Sequence, residues 1–348
     1  MKKTLIAAPL LAAAVLAGCN KETVSQTPQT GTSDNEIRLA VSSISVDVKS
    51  AYDATTPDTD NPLFARVYAS SNADFSGTEY GDTEGYMNFT SDALTGFTDA
   101  EKKSTPKYYD ADADVHLAGF YPAVSAEGSE KWAISSASGT PTATFTFNGD
   151  DDVMVTDIIT VNKNSATDAR DLKFQHMLTQ LELKVKAGGD GAVTEWGGLY
   201  DIKLAKVGGA DPDNTVTVTY PAGGSRQAAF SGAMTDTGVG FISGEDYTQE
   251  SPYTLTTTET SVGYILCEPV TDASTSDEDY TIILQTEGRG EQTIPVELKK
   301  EGNTESFEGN TAGYKFTVTL TFNVNEIQAT ATIEPWKPGG NSDITVEG

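Results

Sequence analysis

Histidine and cysteine are scarce, with His116, His176, Cys19 and Cys267 the whole supply in 348 residues. A catalytic or metal centre built on imidazole or thiolate has almost no material to draw on. Cys19 is committed to another role below, so no internal disulfide is possible. Positive charge is also short: 23 Lys and Arg face 51 Asp and Glu, a formal net charge of −28. Binding a phosphate backbone needs clustered Lys and Arg, so nucleic acid is excluded as a partner, and so is adhesion to an anionic membrane through a basic patch. No glycine loop for cradling phosphate and no nucleophile elbow is present. Long runs of helix-forming residues are missing beyond the N-terminus, which argues against an α/β enzyme fold. The expectation is a protein that is no enzyme and carries no cofactor and no metal.

What the chain has is short alternation between turns, with 14 Tyr, 13 Phe and 32 Gly. Its last long run is the most regular. Tyr314, Phe316, Val318, Leu320, Phe322 and Val324 occupy every second position, and Asn325-Glu326 breaks the run. Ile327, Ala329, Ala331 and Ile333 then alternate again until Pro335-Trp336. Successive strand residues face opposite sides, so the pattern predicts a hairpin with one apolar face. The second strand, with its small side chains and loose following tail, is either an edge of its own sheet or a strand offered to another molecule.

At the other end, Ile37, Leu39 and Val41 alternate, Ser42-Ser43 shifts the phase, and Ile44, Val46 and Val48 continue up to Lys49. A one-residue bulge would keep both halves on one face. Between these ends the clearest strands are 64–70, 115–121, 142–147, 153–161, 171–186, 202–207, 216–220, 253–257, 262–267, 280–285 and 293–298. The stretch 171–186 changes parity after Leu178, which predicts a second bulge near Thr179. Gly188-Gly189-Asp190-Gly191 reads as a domain boundary. The expected organisation is a signal segment at 1–18, a tether at 19–36, an N-terminal β-sandwich at 37–187 and a C-terminal β-sandwich at 188–348.

Few side chains suggest chemistry. Both histidines fall inside predicted strands, where a partly buried imidazole is the plain reading, and Cys267 follows an apolar run. Asp110, Asp112 and Asp114 resemble the start of a calcium loop, but Val115 stands where glycine is needed and Tyr121 where glutamate is needed. Trp132, Trp196 and the Tyr108-Tyr109 pair are candidates for holding glycan on a monomeric surface protein.

The N-terminus joins Lys2-Lys3 to an apolar core from Leu5 to Leu16 and then Leu16-Ala17-Gly18-Cys19. This resembles a bacterial lipobox, which makes Cys19 the lipidation site, and Asn20 favours the outer membrane. Further along stand Leu117-Ala118-Gly119-Phe120-Tyr121-Pro122, the run Leu172 to Val185, Gly313-Tyr314-Lys315-Phe316-Thr317-Val318-Thr319-Leu320 and the closing Trp336. In this order and separation the chain resembles the fimbrillin family, the subunits of type V pili and the similar outer-membrane lipoproteins. The resemblance implies two transthyretin-like β-sandwich domains in tandem. It also implies export as a lipoprotein anchored through its lipid, proteolytic maturation after a basic residue, and assembly with other pilus subunits that supports adhesion to a host or bacterial surface ligand. The family's cut removes the first strand, and a neighbour's C-terminal strand fills the gap. Lys49 matches the place of the cut, where the family more often has Arg; Arg38 is the runner-up. Ile327, Ala329, Ala331 and Ile333 match the donor strand.

Overall fold

In the computed structural model the described residues are 35–41, 56–75, 85–125, 128, 132–135, 139–222, 225–234, 240–241, 247–270, 278–299 and 310–334. They form one compact unit, and the fold is all-β but for short helical turns. The hairpin is the one that alternation predicts. Strands Lys315–Phe322 and Ile327–Glu334 pair antiparallel with Phe322 opposite Ile327 and Lys315 opposite Glu334. Phe316, Val318, Leu320 and Phe322 are fully buried on one face.

Lys315–Phe322 continues into a five-stranded sheet, pairing parallel with Thr179–Ala187, which pairs in turn with Thr260–Cys267. On the other side Ile327–Glu334 touches the short strand Leu298–Lys299 only at Ala331 and Thr332. A second sheet, made of Tyr253–Thr254, Gly198–Lys206, Tyr280–Thr286 and Gly290–Val296, lies opposite. Their apolar faces close one core around Leu181, Leu183, Ile282, Leu284, Phe316 and Leu320. On the outer face of the hairpin's sheet, Lys315 is nearly buried and pairs with Glu182 at 2.9 Å. Burial raises the pKa of the Glu182 carboxyl, but the Lys315 ammonium outweighs it and the net shift is downward.

The first half builds a different arrangement. Strands Gln175–His176, Met154–Val155, Val115–Tyr121, Leu63–Ser70 and Tyr86–Phe89 form one sheet in that order. Both its faces are covered, and this splits Val115–Tyr121 by parity. Val115 and Leu117 join one core, and Ala118 and Phe120 join another. The second of these cores lies against a sheet drawn from distant parts of the chain. There Thr215–Thr219 pairs with Thr142–Thr146, and the hydroxyls of Thr144 and Thr217 meet at 3.1 Å. Leu266 reaches the same core, and its N–H donates to the Gly149 carbonyl at 2.8 Å. The two halves are therefore stitched by backbone pairing, as well as by side chains.

Two sequence expectations need correction. The stretch from Asp171 to Lys186 is not one bulged strand. Gln175–His176 and Thr179–Ala187 belong to different sheets, and the parity change marks the crossing between them. Leu172 and Phe174 serve one core, Leu178 a second and Leu181 a third, so the phase must shift where the chain changes neighbours. No helix is expected beyond the N-terminal segment, yet Asp190–Trp196 forms one, starting inside the stretch 188–191 read as a domain boundary. Seven residues with Gly191 among them carry too little period to signal helix in a sequence. Trp196 is buried against Phe322 with ring centroids 5.6 Å apart, and the helix closes one end of the core.

Among the described residues no helix is long and apolar enough to cross a membrane.

Candidate functional site

The first described segment, residues 35–41, threads through the first core as an extended strand. Ile37, Leu39 and Val41 are fully buried in it. The Ile37 N–H donates to the Lys107 carbonyl and the Tyr109 N–H to the Asn35 carbonyl, both at 2.8 Å. Arg38–Leu39 pairs antiparallel with Thr95–Gly96. Further on, the Ala40 N–H donates to the Arg170 carbonyl at 3.0 Å, and Leu172 returns a bond to the Ala40 carbonyl at 2.8 Å. A Cβ at Gly96 would stand 2.5 Å from the Glu36 Oε1, so a larger residue there would have to displace that carboxylate. The segment is thus held by the short strand Thr95–Gly96 and by single bridges at Tyr108 and Asp171. Its apolar side chains meet Leu63, Ala65, Val67, Phe89, Phe97 and Phe174 of the same core.

Arg38 lies within this strand. Its guanidinium bonds to the Glu36 carboxylate, Nε at 2.9 Å and Nη2 at 2.7 Å. A cut after Arg38 would release Ile37 but leave Leu39 and Val41 in place. Lys49, Ile44, Val46, Val48 and Cys19 lie outside the described residues. The flanking grips at Thr95–Gly96, Lys107 and Arg170 were not legible in the sequence, since two-residue pairings and single bridges carry no periodicity.

At the other end of the chain, Ile327, Ala329, Ala331 and Ile333 all face the C-terminal core, as their alternation predicts, but only Ala331 is fully buried. The strand is the less buried member of its hairpin.

The glycan candidates divide. Trp132 is 1% exposed, Trp196 2% and Tyr109 4%, and only Tyr108, at 50%, faces solvent. Trp132 stacks on Phe145 with centroids 5.1 Å apart, inside a core. An aromatic platform formed by these four residues is therefore not present. His176 is buried beside Asp152, Nδ1 to Oδ1 2.7 Å, and His116 meets the Thr160 hydroxyl at 2.9 Å. Burial pushes the Cys267 thiol well above its usual range and keeps it a neutral core group. Asp112 pairs with Lys163 at 2.9 Å, and Asp114 accepts from the Asn162 amide at 2.8 Å. The hydrogen bond and charge of Lys163 hold the Asp112 carboxyl below its usual range. Among the described residues no group of three or more His, Cys, Asp or Glu side chains is placed to hold a metal ion.

The site therefore defines an all-β protein whose first core contains a strand supplied from the chain's N-terminal side. A family model described as fimbrillin-like matches residues 54–336, and the chain belongs to that family. No curated protein matches it. Among solved structures it is similar to a fimbrial protein from Bacteroides vulgatus, at 17% identity and a TM-score of 0.47, covering 87% of this chain and 100% of that one. It is also similar to a fimbrial assembly protein from Parabacteroides distasonis, at 14% identity and a TM-score of 0.34, covering 86% of this chain and 100% of that one. A third is a Bacteroides uniformis protein provisionally described as a cell adhesion protein, at 16% identity and a TM-score of 0.45, covering 87% and 99%.

Proposed function

We propose that this protein is a structural pilus subunit of the cell surface, exported as an outer-membrane lipoprotein through Cys19. On this reading it is matured by proteolysis after Lys49 and polymerised by exchange of strands between copies or related subunits, in support of adhesion. The observation that carries the reading is the burial of Ile37, Leu39 and Val41 in a core otherwise built from residues beyond 60. Fully burying side chains of this size stabilises by about 1.5–3 kcal/mol each. A cut at Lys49 detaches all three, and a groove lined by Leu63, Phe89 and Phe174 then needs another strand. The donor is the strand bearing Ile327, Ala329, Ala331 and Ile333. It must first peel from Lys315–Phe322, against which it pairs along its full length. Passing a strand to a neighbour in one direction makes a contact that does not close, and such contacts build filaments. Two domains in tandem, 37–187 and 188–348 with a boundary at 188–191, fit this use.

The test is treatment of the purified precursor with a trypsin-like protease. Wild type should form SDS-resistant ladders. Deletion of residues 327–348 should leave the protein cut but monomeric, and Lys49→Ala should leave it uncut and monomeric. Ladders from the deletion variant would overturn donation of this strand, and wild type that is cut yet forms no ladders would favour a monomeric surface protein.

A further inference from the structure

The turn between the last two strands is held in an uneven way. The Gly188 N–H donates to the Phe322 carbonyl at 2.8 Å. The Trp196 Nε1–H donates to the Asn323 carbonyl at 2.6 Å. The Arg289 Nη2 donates to the Val324 carbonyl at 2.7 Å. Three consecutive carbonyls are thus gripped by three donors from elsewhere in the C-terminal half. They belong to the last residue of Lys315–Phe322 and the two that follow it. Beyond them the turn's own bond, from the Asn323 N–H to the Glu326 carbonyl at 2.8 Å, is the hold on the other arm. Beyond Asn325-Glu326, the strand pairing of Ile327–Glu334 among the described residues is with Lys315–Phe322 and, over two residues, with Leu298–Lys299.

The donors are themselves fixed. Arg289 bonds the Glu195 carboxylate through Nε at 2.9 Å and Nη2 at 2.6 Å, and its guanidinium stands 4.4 Å over the Trp196 ring. The turn carrying Arg289 is seated on the end of the helix, with the Gly288 N–H donating to the Trp196 carbonyl at 2.9 Å. A Cβ at Gly288 would stand 2.0 Å from the Glu195 carbonyl oxygen, so the seat admits only glycine. A Cβ at Gly188 would stand 2.4 Å from the Asn323 Oδ1, so a larger residue there would have to push that amide aside. Charge-assisted bonds to backbone carbonyls are among the stronger hydrogen bonds.

We infer that residues 322–324 are an anchor and Asn325-Glu326 a hinge, so that Ile327–Glu334 can leave its sheet while Lys315–Phe322 stays in place. This rests on the strand-donation reading and gives it a mechanical basis. The arm that stays carries Phe316, Val318, Leu320 and Phe322, all fully buried, while the arm that leaves carries one fully buried side chain, Ala331. Arg289, Trp196 and Glu195 are positioning residues for the anchor.

The test is amide hydrogen exchange on the uncut full chain, where no assembly takes place. In wild type, peptides covering 327–334 should exchange faster than those covering 315–322 by on the order of tenfold or more. Arg289→Ala should raise exchange in 315–322 by on the order of tenfold while leaving 327–334 nearly unchanged, because the anchor is weakened and the free arm is not. Glu195→Gln, which loosens Arg289 without touching the turn, should act in the same direction but less strongly. Equal rates in the two strands of wild type would overturn the hinge. Acceleration of 327–334 alone by Arg289→Ala would also overturn it, since the contacts would then be a brake on release. If the exchange pattern is as expected and protease-treated wild type forms no ladders, the hinge stands and strand donation fails.

Discussion

Leu39 offers the sharpest test of the buried N-terminal strand. Its side chain is fully buried and packs in the first core, while its neighbour Arg38 turns out toward Glu36. Replacing a buried leucine by alanine removes the transfer free energy of its methyl groups and leaves a cavity, together about 2–5 kcal/mol. The chain-ordering cost of the strand is nearly the same in both variants and cancels. Arg38→Ala loses a partly exposed ion pair, a change within about 1 kcal/mol. Urea unfolding of the full-length protein, followed by tryptophan fluorescence, separates the two. Leu39→Ala should lower the midpoint strongly at unchanged slope, and Arg38→Ala should barely move it. If the two variants unfold at the same urea concentration, residues 35–41 do not belong to the core, and maturation by their removal has no energetic basis. A second measurement follows for the matured subunit. A peptide spanning Ile327 to Ile333 should restore only part of the lost stability, because Ala329 and Ala331 cannot fill spaces shaped for Leu39 and Val41.

Cys19→Ala should abolish lipidation, and unchanged incorporation of a palmitate analogue in that variant would refute the assignment. Burial raises the Asp279 carboxyl to about 6, with Glu297 adding to the shift and the Leu298 N–H opposing it. Its ordinary value in an unfolded chain is about 3.9, so between these values the native state holds a proton that the unfolded state has lost. Its contribution to stability therefore falls as pH rises through that window. Asp279→Asn should flatten the decline in urea midpoint between about pH 4 and 6, and an unaltered profile would refute the assignment.

The strands with one dry face were legible because alternation is a local signal. Val115–Tyr121 and the terminal hairpin fall where their spacing places them. Legibility ended where neighbours are remote. The parity change around Leu178 has two physical causes, a bulge or a change of sheet, and nothing within the stretch separates them. Gln227–Ser231 was missed because its side chains are largely exposed and carry no periodic contrast. The helix Asp190–Trp196 was missed because a glycine-bearing single element of two turns looks like a linker until Trp196 finds Phe322. At the candidate site the inserted strand was visible as Ile37, Leu39 and Val41, but the edges that receive it were not.

The proposed donor strand poses the harder physical question, since a strand good enough to fill a neighbour's groove is also good enough to stay at home. The alternation in Ile327 to Ile333 serves both places, and in the isolated chain it is satisfied by Lys315–Phe322. Two features tilt the balance. The strand's own contribution to its core is small, because alanines occupy its two middle inward positions and only one is fully buried. Among the described residues its second edge is paired over two residues. Departure therefore exposes little apolar surface, while the emptied first core of a cut neighbour exposes Leu63, Phe89 and Phe174, all fully buried or nearly so in the uncut chain. The driving force for exchange lies in the acceptor. On the proposed reading it is absent while residues 35–41 remain in the groove, so proteolysis, and not any change in the donor, would set when assembly begins.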